Sequence, residues 1–320
     1  MTDQFSGLPA DIAQKLAEFE RETNARYSVF SKPLLASPPP SELFHYTDYL
    51  GLKGILETGR LWLSDIFSLN DPSELNHGVF GAAEILSQKA KAAPDIREIA
   101  LLADIFAAFR TKLSSSADYF VCSFSIDGDE LGQWRGYADN GRGFRLGFDG
   151  AALETDFSAA NKLPSTVSTF PVTYDDRLLN EMNMFNVEKA LPLISLPRSR
   201  AMDKATRSLY LQYLPSILAV QTIQISSHFK HESYENEKEY RFLQIFPENG
   251  RPDVKIRTRP NRLIRYIEYD WRAHAPDALR TVWVGPASDD TAMQFAHDCI
   301  RQYVPRTKVE VKRSSVPYRP

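Results

Sequence analysis

The chain of 320 residues carries a formal net charge of −3, with 43% apolar and 25% charged residues. These are the values of an ordinary globular protein, long enough for one large domain or two modest ones, and they exclude a disordered chain. The near-neutral charge gives no whole-chain footprint for nucleic acid, although a nucleic-acid binder could still carry a local basic patch.

Ile12, Leu16 and Phe19 fall at i, i+4 and i+7 and predict a helix over 9–27. The proline-rich stretch Ser31–Pro40 predicts an extended connector, because proline cannot continue a helix. Residues 1–41 therefore read as an N-terminal helix and linker, and 42–318 as one α+β domain. Leu43–Thr47 is a first strand and Tyr49–Thr58 a helix with Leu52, Ile55 and Leu56 on one face. Gly59 stands at the capping position, and Arg60–Ser64 is the second strand.

Helical insertions are expected at about 72–116 and 177–229, the second interrupted at Pro192, Pro197 and Pro215. Asn70–Glu74 has the form of a capping box opening the first insertion, with Asp71 as N-cap, Pro72 next and Glu74 at N3. Further strands fall at 118–126, 143–148, 170–175, 238–246, 253–257, 263–270, 280–284 and 307–313. A short helix or turn spans 130–137, a tight turn follows at Asp139-Asn140-Gly141, and a closing helix spans 289–303 with Ser288 as its N-cap. Regular βαβ alternation is lacking, so α+β is expected rather than a doubly wound sheet.

Cys122 and Cys299 are too few and too far apart for a disulfide framework or a zinc site, and Cys122 lies in an apolar run that suits a buried thiol. Met1–Ala10 has no signal-peptide pattern, and no apolar run approaches the ~20 residues of a membrane span. The expectation is a cytoplasmic protein with no membrane partner.

Two constellations carry most of the chemistry. His45 and Thr47 share a face at the end of the first strand, where both can hydrogen-bond a polyhydroxyl ligand; a satisfied histidine at the rim of the core explains His45 equally well. If Glu235–Arg241 is extended, Glu235, Glu237, Glu239 and Arg241 fall on one face at the mouth of the core, although a solvated edge would tolerate the same charges. Trp134 beside Arg135 offers an aromatic plate and a guanidinium, or simply packs under the next hairpin. Ser123 and Ser125 share a strand face. His228, His231 and Glu232 lack further metal ligands at convincing spacing, so no metal site is expected.

Taken in series, Phe44–Thr47, Gly51–Gly59 with Leu61–Ser64, Leu69–Glu74, Cys122–Ser125, Trp134-Arg135 through Gly143 to Asp149, Glu237–Arg241 and Val284–Pro286 resemble the bacterial family DUF2971 over about 42–318. More distantly, His45-x-Thr47, a helix ending at Gly59, a second strand and Glu237-x-Glu239 resemble the ADP-ribosyltransferase superfamily. That resemblance implies a split β-sheet core clasping NAD as substrate, with no permanently bound cofactor. Carried over by position, it implies that His45 bonds a ribose and Thr47 helps hold the dinucleotide. Glu239 would contact the nicotinamide ribose, and Glu237 would orient or activate the acceptor. Tyr46, Trp62, Ser64, Ser123, Ser125, Trp134, Arg135 and Arg241 would line the dinucleotide site, the nicotinamide shelf being Trp62, Tyr46 or Trp134.

The expected activity is ADP-ribosyl transfer or NAD glycohydrolysis, in phage defence or as a toxin, with NAD and a macromolecular acceptor as partners. The competing reading is a non-catalytic module that binds a nucleotide or partner.

Overall fold

The computed structural model describes residues 5–68, 81–88, 117–159, 164–194, 196, 202–247, 250–259 and 262–319. The capping box expected at Asn70–Glu74, Pro197, and the first insertion apart from 81–88 lie outside them. In chain order the elements are α1 (Ala10–Leu35), β1 (Glu42–Thr47), α2 (Tyr49–Thr58), β2 (Arg60–Asp65), α3 (81–88), β3 (Ala117–Ser125), α4 (Leu131–Tyr137) and β4 (Phe144–Asp149). There follow α5 (Gly150–Ala159), β5 (Thr166–Pro171), α6 (Asp176–Ile194), α7 (Lys204–Ser226), β6 (Glu239–Pro247), β7 (Lys255–Arg259) and β8 (Arg262–Asp270). The last are α8 (Trp271–His274), β9 (Leu279–Val284), α9 (Asp290–Tyr303) and β10 (Glu310–Arg313). The composition is α+β, and the chain divides into two units.

The first unit comprises Met1–Leu34, Leu69–Asp118 and Thr173–Glu232 and, among the described residues, is built mainly of helices. Leu179, Met182, Ile225 and Phe229 form a core against which Tyr27 and Phe30 pack, with Phe30 stacked on Phe229 at 5.2 Å. The predicted extended connector is corrected here, because α1 runs through Pro33 to Leu35. Pro33 sits in the last turn, where few hydrogen bonds remain to lose, and Phe30 and buried Ser31 hold that turn against the core. Nor do Pro192 and Pro215 interrupt their helices: the first lies near the end of α6, and the second is buried inside α7. His228 is buried, with Nε2 2.7 Å from the Tyr27 hydroxyl. Among the described residues there is no group of three or more His, Cys, Asp or Glu suited to a metal.

The second unit comprises Leu35–Ser68, Tyr119–Val172 and Ser233–Pro320 and holds the sheet. Among the described residues its ten strands run β10-β9-β4-β1-β3-β2-β8-β7, with β6 branching from β3 and carrying β5. The registered pairs are antiparallel except β9–β10, whose parallel pairing requires the crossover that α9 supplies. β3 registers with β1 at Phe44↔Ser125 and with β2 at Ser64↔Val121 and Asp65↔Phe120, while β1 follows β4 and β2 follows β8 over longer stretches. The main core joins Leu43, Leu61, Leu63, Phe120, Phe124 and Phe242 to α2, α5 and α9.

Asp48 caps α2 by accepting from the Gly51 amide, and Gly59 ends it at φ 69° with its N–H on the Ile55 carbonyl. A Cβ at Gly59 would also meet the Arg272 side chain. Gly59→Ala is therefore expected to destabilise the protein by about 1–2 kcal/mol, read as a lowered Tm. An unchanged Tm would contradict this reading of the cap.

Some boundaries differ from expectation. α5 was not anticipated, since Leu153, Asp156 and Phe157 are buried without a clean apolar stripe. β5 lies earlier than the predicted 170–175 because it registers with β6 from Thr166↔Ile245 to Pro171↔Tyr240. The N-cap of α9 is Asp289 rather than Ser288, whose hydroxyl donates to the Arg142 carbonyl. Among the described residues, no helix is long and apolar enough to cross a membrane.

Candidate functional site

His45 is half-buried on β1, with Nδ1 3.2 Å from the Ser123 carbonyl oxygen. A carbonyl only accepts, so Nδ1 carries the hydrogen and Nε2 is the ring's acceptor. The hydroxyl of Ser123 donates to Glu239 Oε1 at 2.6 Å. Both residues are thus tied to one serine, and covalent geometry within that serine bounds the His45–Glu239 separation at about 10 Å. By alternation, Ser123, Glu239 and Arg241 lie on the face opposite Cys122, Phe124, Tyr240 and Phe242, while His45 shares its face with Leu43. The two sides meet at Ser123, one through its carbonyl and the other through its hydroxyl.

Arg241, two residues along β6 from Glu239, donates from Nε to Oε1 at 2.6 Å and from Nη2 to Oε2 at 3.2 Å. The two side chains are 1% and 4% exposed, so this is a forked, charge-assisted pair inside the protein. A second group stands on β2, β7 and β8. Trp62, 41% exposed, packs on Tyr266 with the rings tilted by 33° and their centroids 4.4 Å apart. The Arg257 guanidinium lies 5.1 Å from the Trp62 ring centroid and donates to Ser64 Oγ at 2.9 Å. Electrostatics connect the two groups. Burial pushes the Cys122 thiol up to about 12, with Arg257 lowering it and Glu239 raising it, so both charges reach one β3 position. Such a thiol is inert as a nucleophile.

The remaining predicted residues are placed differently. The single face expected of Glu235, Glu237, Glu239 and Arg241 is corrected, because Glu232–Glu237 is a 3-10 turn, Lys238 has φ 42°, and the strand starts at Glu239. Ser125 Oγ holds that turn by donating to the Glu237 carbonyl at 2.8 Å, and Lys238 Nζ lies 3.0 Å from Asp127. Glu237 accepts from the Tyr137 hydroxyl at 3.1 Å. Trp134 is corrected as a stacking plate: it is fully buried, packs edge-on to Tyr46 at 4.9 Å and donates from Nε1 to Asp129. Tyr46 is likewise buried, its hydroxyl donating to the Asp127 carbonyl. Of the three aromatic candidates for a ligand shelf, Trp62 alone is exposed. Arg135 is exposed and lies 6.0 Å from the Tyr318 ring centroid, while Thr47 Oγ1 rests against Gly51 of α2. Sequence reasoning missed Arg257; its available signal was a cation alternating with apolar residues in the 253–257 strand.

Burial, and then the charge of Arg257, hold the His45 imidazole below its ordinary value of 6.5, against an opposing pull from the Ser123 carbonyl. The unfolded chain therefore takes up a proton below pH about 6.5 that the folded chain refuses until the lowered value is reached. Stability should fall as pH drops through that window, and His45→Asn should flatten that part of the slope. Urea unfolding at intervals between pH 7 and 5 checks this, and identical slopes in both proteins would count against a neutral His45.

No curated protein and no solved structure matches the chain. Residues 133–242, a span that includes Glu237, Glu239 and Arg241 but neither His45 nor Ser123, match the family described as "Protein of unknown function (DUF2971)".

Proposed function

We propose that the second unit binds an NAD-type dinucleotide at Ser123, Glu239 and Trp62, with His45 holding the Ser123 backbone, and cleaves its nicotinamide–ribose bond, passing ADP-ribose to an acceptor or to water. The observation that carries this reading is the Ser123 hydroxyl on Glu239, with His45 on the same serine's carbonyl. His45 holds the Ser123 carbonyl from the core face, and exposed Trp62 supplies a shelf for a planar ring. The C–N bond breaks with its electron pair going to nicotinamide, which leaves neutral and needs no general acid. The positive charge left on the ribose carbon is stabilised by the Glu239 carboxylate held by Ser123. The acceptor then adds at that carbon and loses a proton. The resemblance to ADP-ribosyltransferases and the way β3 bridges two halves of the sheet support the same reading.

One observation favours a second reading, a nucleotide-binding module without turnover: Arg241 already compensates much of the Glu239 charge. The two separate when nicotinamide release and NAD binding are measured on the same purified protein. Release with saturable binding is expected. Saturable binding without release at any pH between 6 and 9 would overturn cleavage in favour of the module.

A further inference from the structure

We infer that Arg145, Thr281 and Trp283 form a binding site for a small organic carboxylate, on the sheet of the second unit but apart from Ser123 and Glu239. The site shares no residue with the proposed dinucleotide reading and does not depend on it. Its place follows from alternation. Phe144, Leu146 and Phe148 of β4 and Val282 and Val284 of β9 belong to the main core, so Arg145, Gly147, Thr281 and Trp283 face the other way. Register sets Arg145 beside Trp283, and Gly147 beside Thr281 on one flank and Phe44 of β1 on the other.

Three buried polar atoms on that face have no hydrogen-bond partner among the described residues: Arg145 Nε, Thr281 Oγ1 and Trp283 Nε1. Arg145 is 3% exposed and Thr281 9%. Two of these atoms only donate, and the hydroxyl can turn its hydrogen the same way, so the group calls for an acceptor. Each donor left unmet costs about 1–3 kcal/mol, and buried polar groups are met in all but a few cases. The guanidinium indicates which acceptor. β4 lies between β1 and β9, and the Arg145 guanidinium carbon is 4.3 Å from the Phe44 ring centroid and 4.1 Å from that of Trp283. With a ring over it from either flank, the guanidinium is approached along its edge, where Nε–H and an amino N–H make the fork that fits two carboxylate oxygens. Gly128 closes one end, since a Cβ there would lie 2.6 Å from Nη1. Gly147 lets the Thr281 hydroxyl lean over β4, the strand that carries Arg145; a Cβ at Gly147 would collide with that hydroxyl. Charge favours a carboxylate over phosphate. Burial lowers the Arg145 pKa, and Tyr46, Asp129, Glu42 and Asp127 oppose that shift, so three carboxylates already bear on the guanidinium. A singly charged ion meets less repulsion from them than a phosphate dianion does.

Titration of the ¹⁵N-labelled full chain with sodium acetate, read on its tryptophan indole N–H signals, tests this. The chain has four tryptophans, and Trp283→Phe identifies the Trp283 signal by its loss. That signal is expected to shift saturably with acetate, to ignore sodium chloride at equal ionic strength, and to respond to phosphate only at higher concentration. Arg145→Gln should weaken acetate by at least about tenfold, and Arg145→Lys should retain part of the affinity through charge without the fork. Thr281→Val should weaken it about 2–10-fold, whereas Thr281→Ser, which keeps the hydroxyl, should match wild type. Circular dichroism identifies any variant that loses its fold, and the two Thr281 variants decide the matter if Arg145→Gln does. No saturable shift, with the donors then met by water alone, would overturn the inference. So would an equal response to chloride, phosphate binding as tight as acetate, unchanged affinity in folded Arg145→Gln, or equal affinity in the two Thr281 variants.

Discussion

Glu239→Gln is expected to reduce nicotinamide release by about 10²–10³-fold while changing NAD affinity only a few-fold, the signature of a group that acts mainly in the transition state. The amide keeps the size of the carboxylate and can still accept from Ser123 and from Arg241, so the local geometry survives. What disappears is the negative charge facing the ribose carbon as the bond breaks. Single-turnover release, with enzyme in excess over NAD and its concentration varied, separates the two parameters. A variant that releases nicotinamide at the wild-type rate would remove Glu239 from the chemistry.

The largest stability effect should come from the other half of the pair. Arg241→Ala leaves the 4%-exposed Glu239 carboxylate without its guanidinium and should cost about 3–5 kcal/mol, read by urea unfolding. The loss is not a measure of the pair's net worth, because two desolvated charges cost nearly what their attraction returns. Replacing both residues by apolar ones, Glu239→Leu with Arg241→Met, should therefore recover most of the stability while abolishing release. If the single variant is as stable as wild type, the buried pair is not what organises β6.

Much of this fold was legible because strands and caps have local causes. Asp48, the α2 apolar face and Gly59 mark one helix from end to end, and β1 and β2 follow from their short β-prone runs on either side. The elements that were not legible depend on tertiary packing. Pro33 stays helical because half-buried Phe30 and buried Ser31 pack that turn down, and α5 lacks a clean stripe because Asp156 is buried and bonded to Tyr269. At the site, alternation correctly aligned Glu239 with Arg241 but could not reveal that they neutralise each other. It also extended the strand too far back, since a turn pinned by Ser125 and Asp127 comes from distant segments. Trp134 and Trp62 look alike in sequence; burial alone separates a core filler from an exposed shelf. Arg257 escaped notice because a cation on a short strand reads as a solvated edge until Ser64 and Trp62 are seen beside it.

In the proposed reaction Ser123 and Glu239 act as one unit on a bound dinucleotide. A double-mutant cycle on nicotinamide release, with Ser123→Ala, Glu239→Gln and the combined variant, tests it most directly. Adding Ser123→Ala to Glu239→Gln is expected to slow release little further, because the serine works through the carboxylate. Losses that multiply, or no release by the wild-type protein, would contradict it.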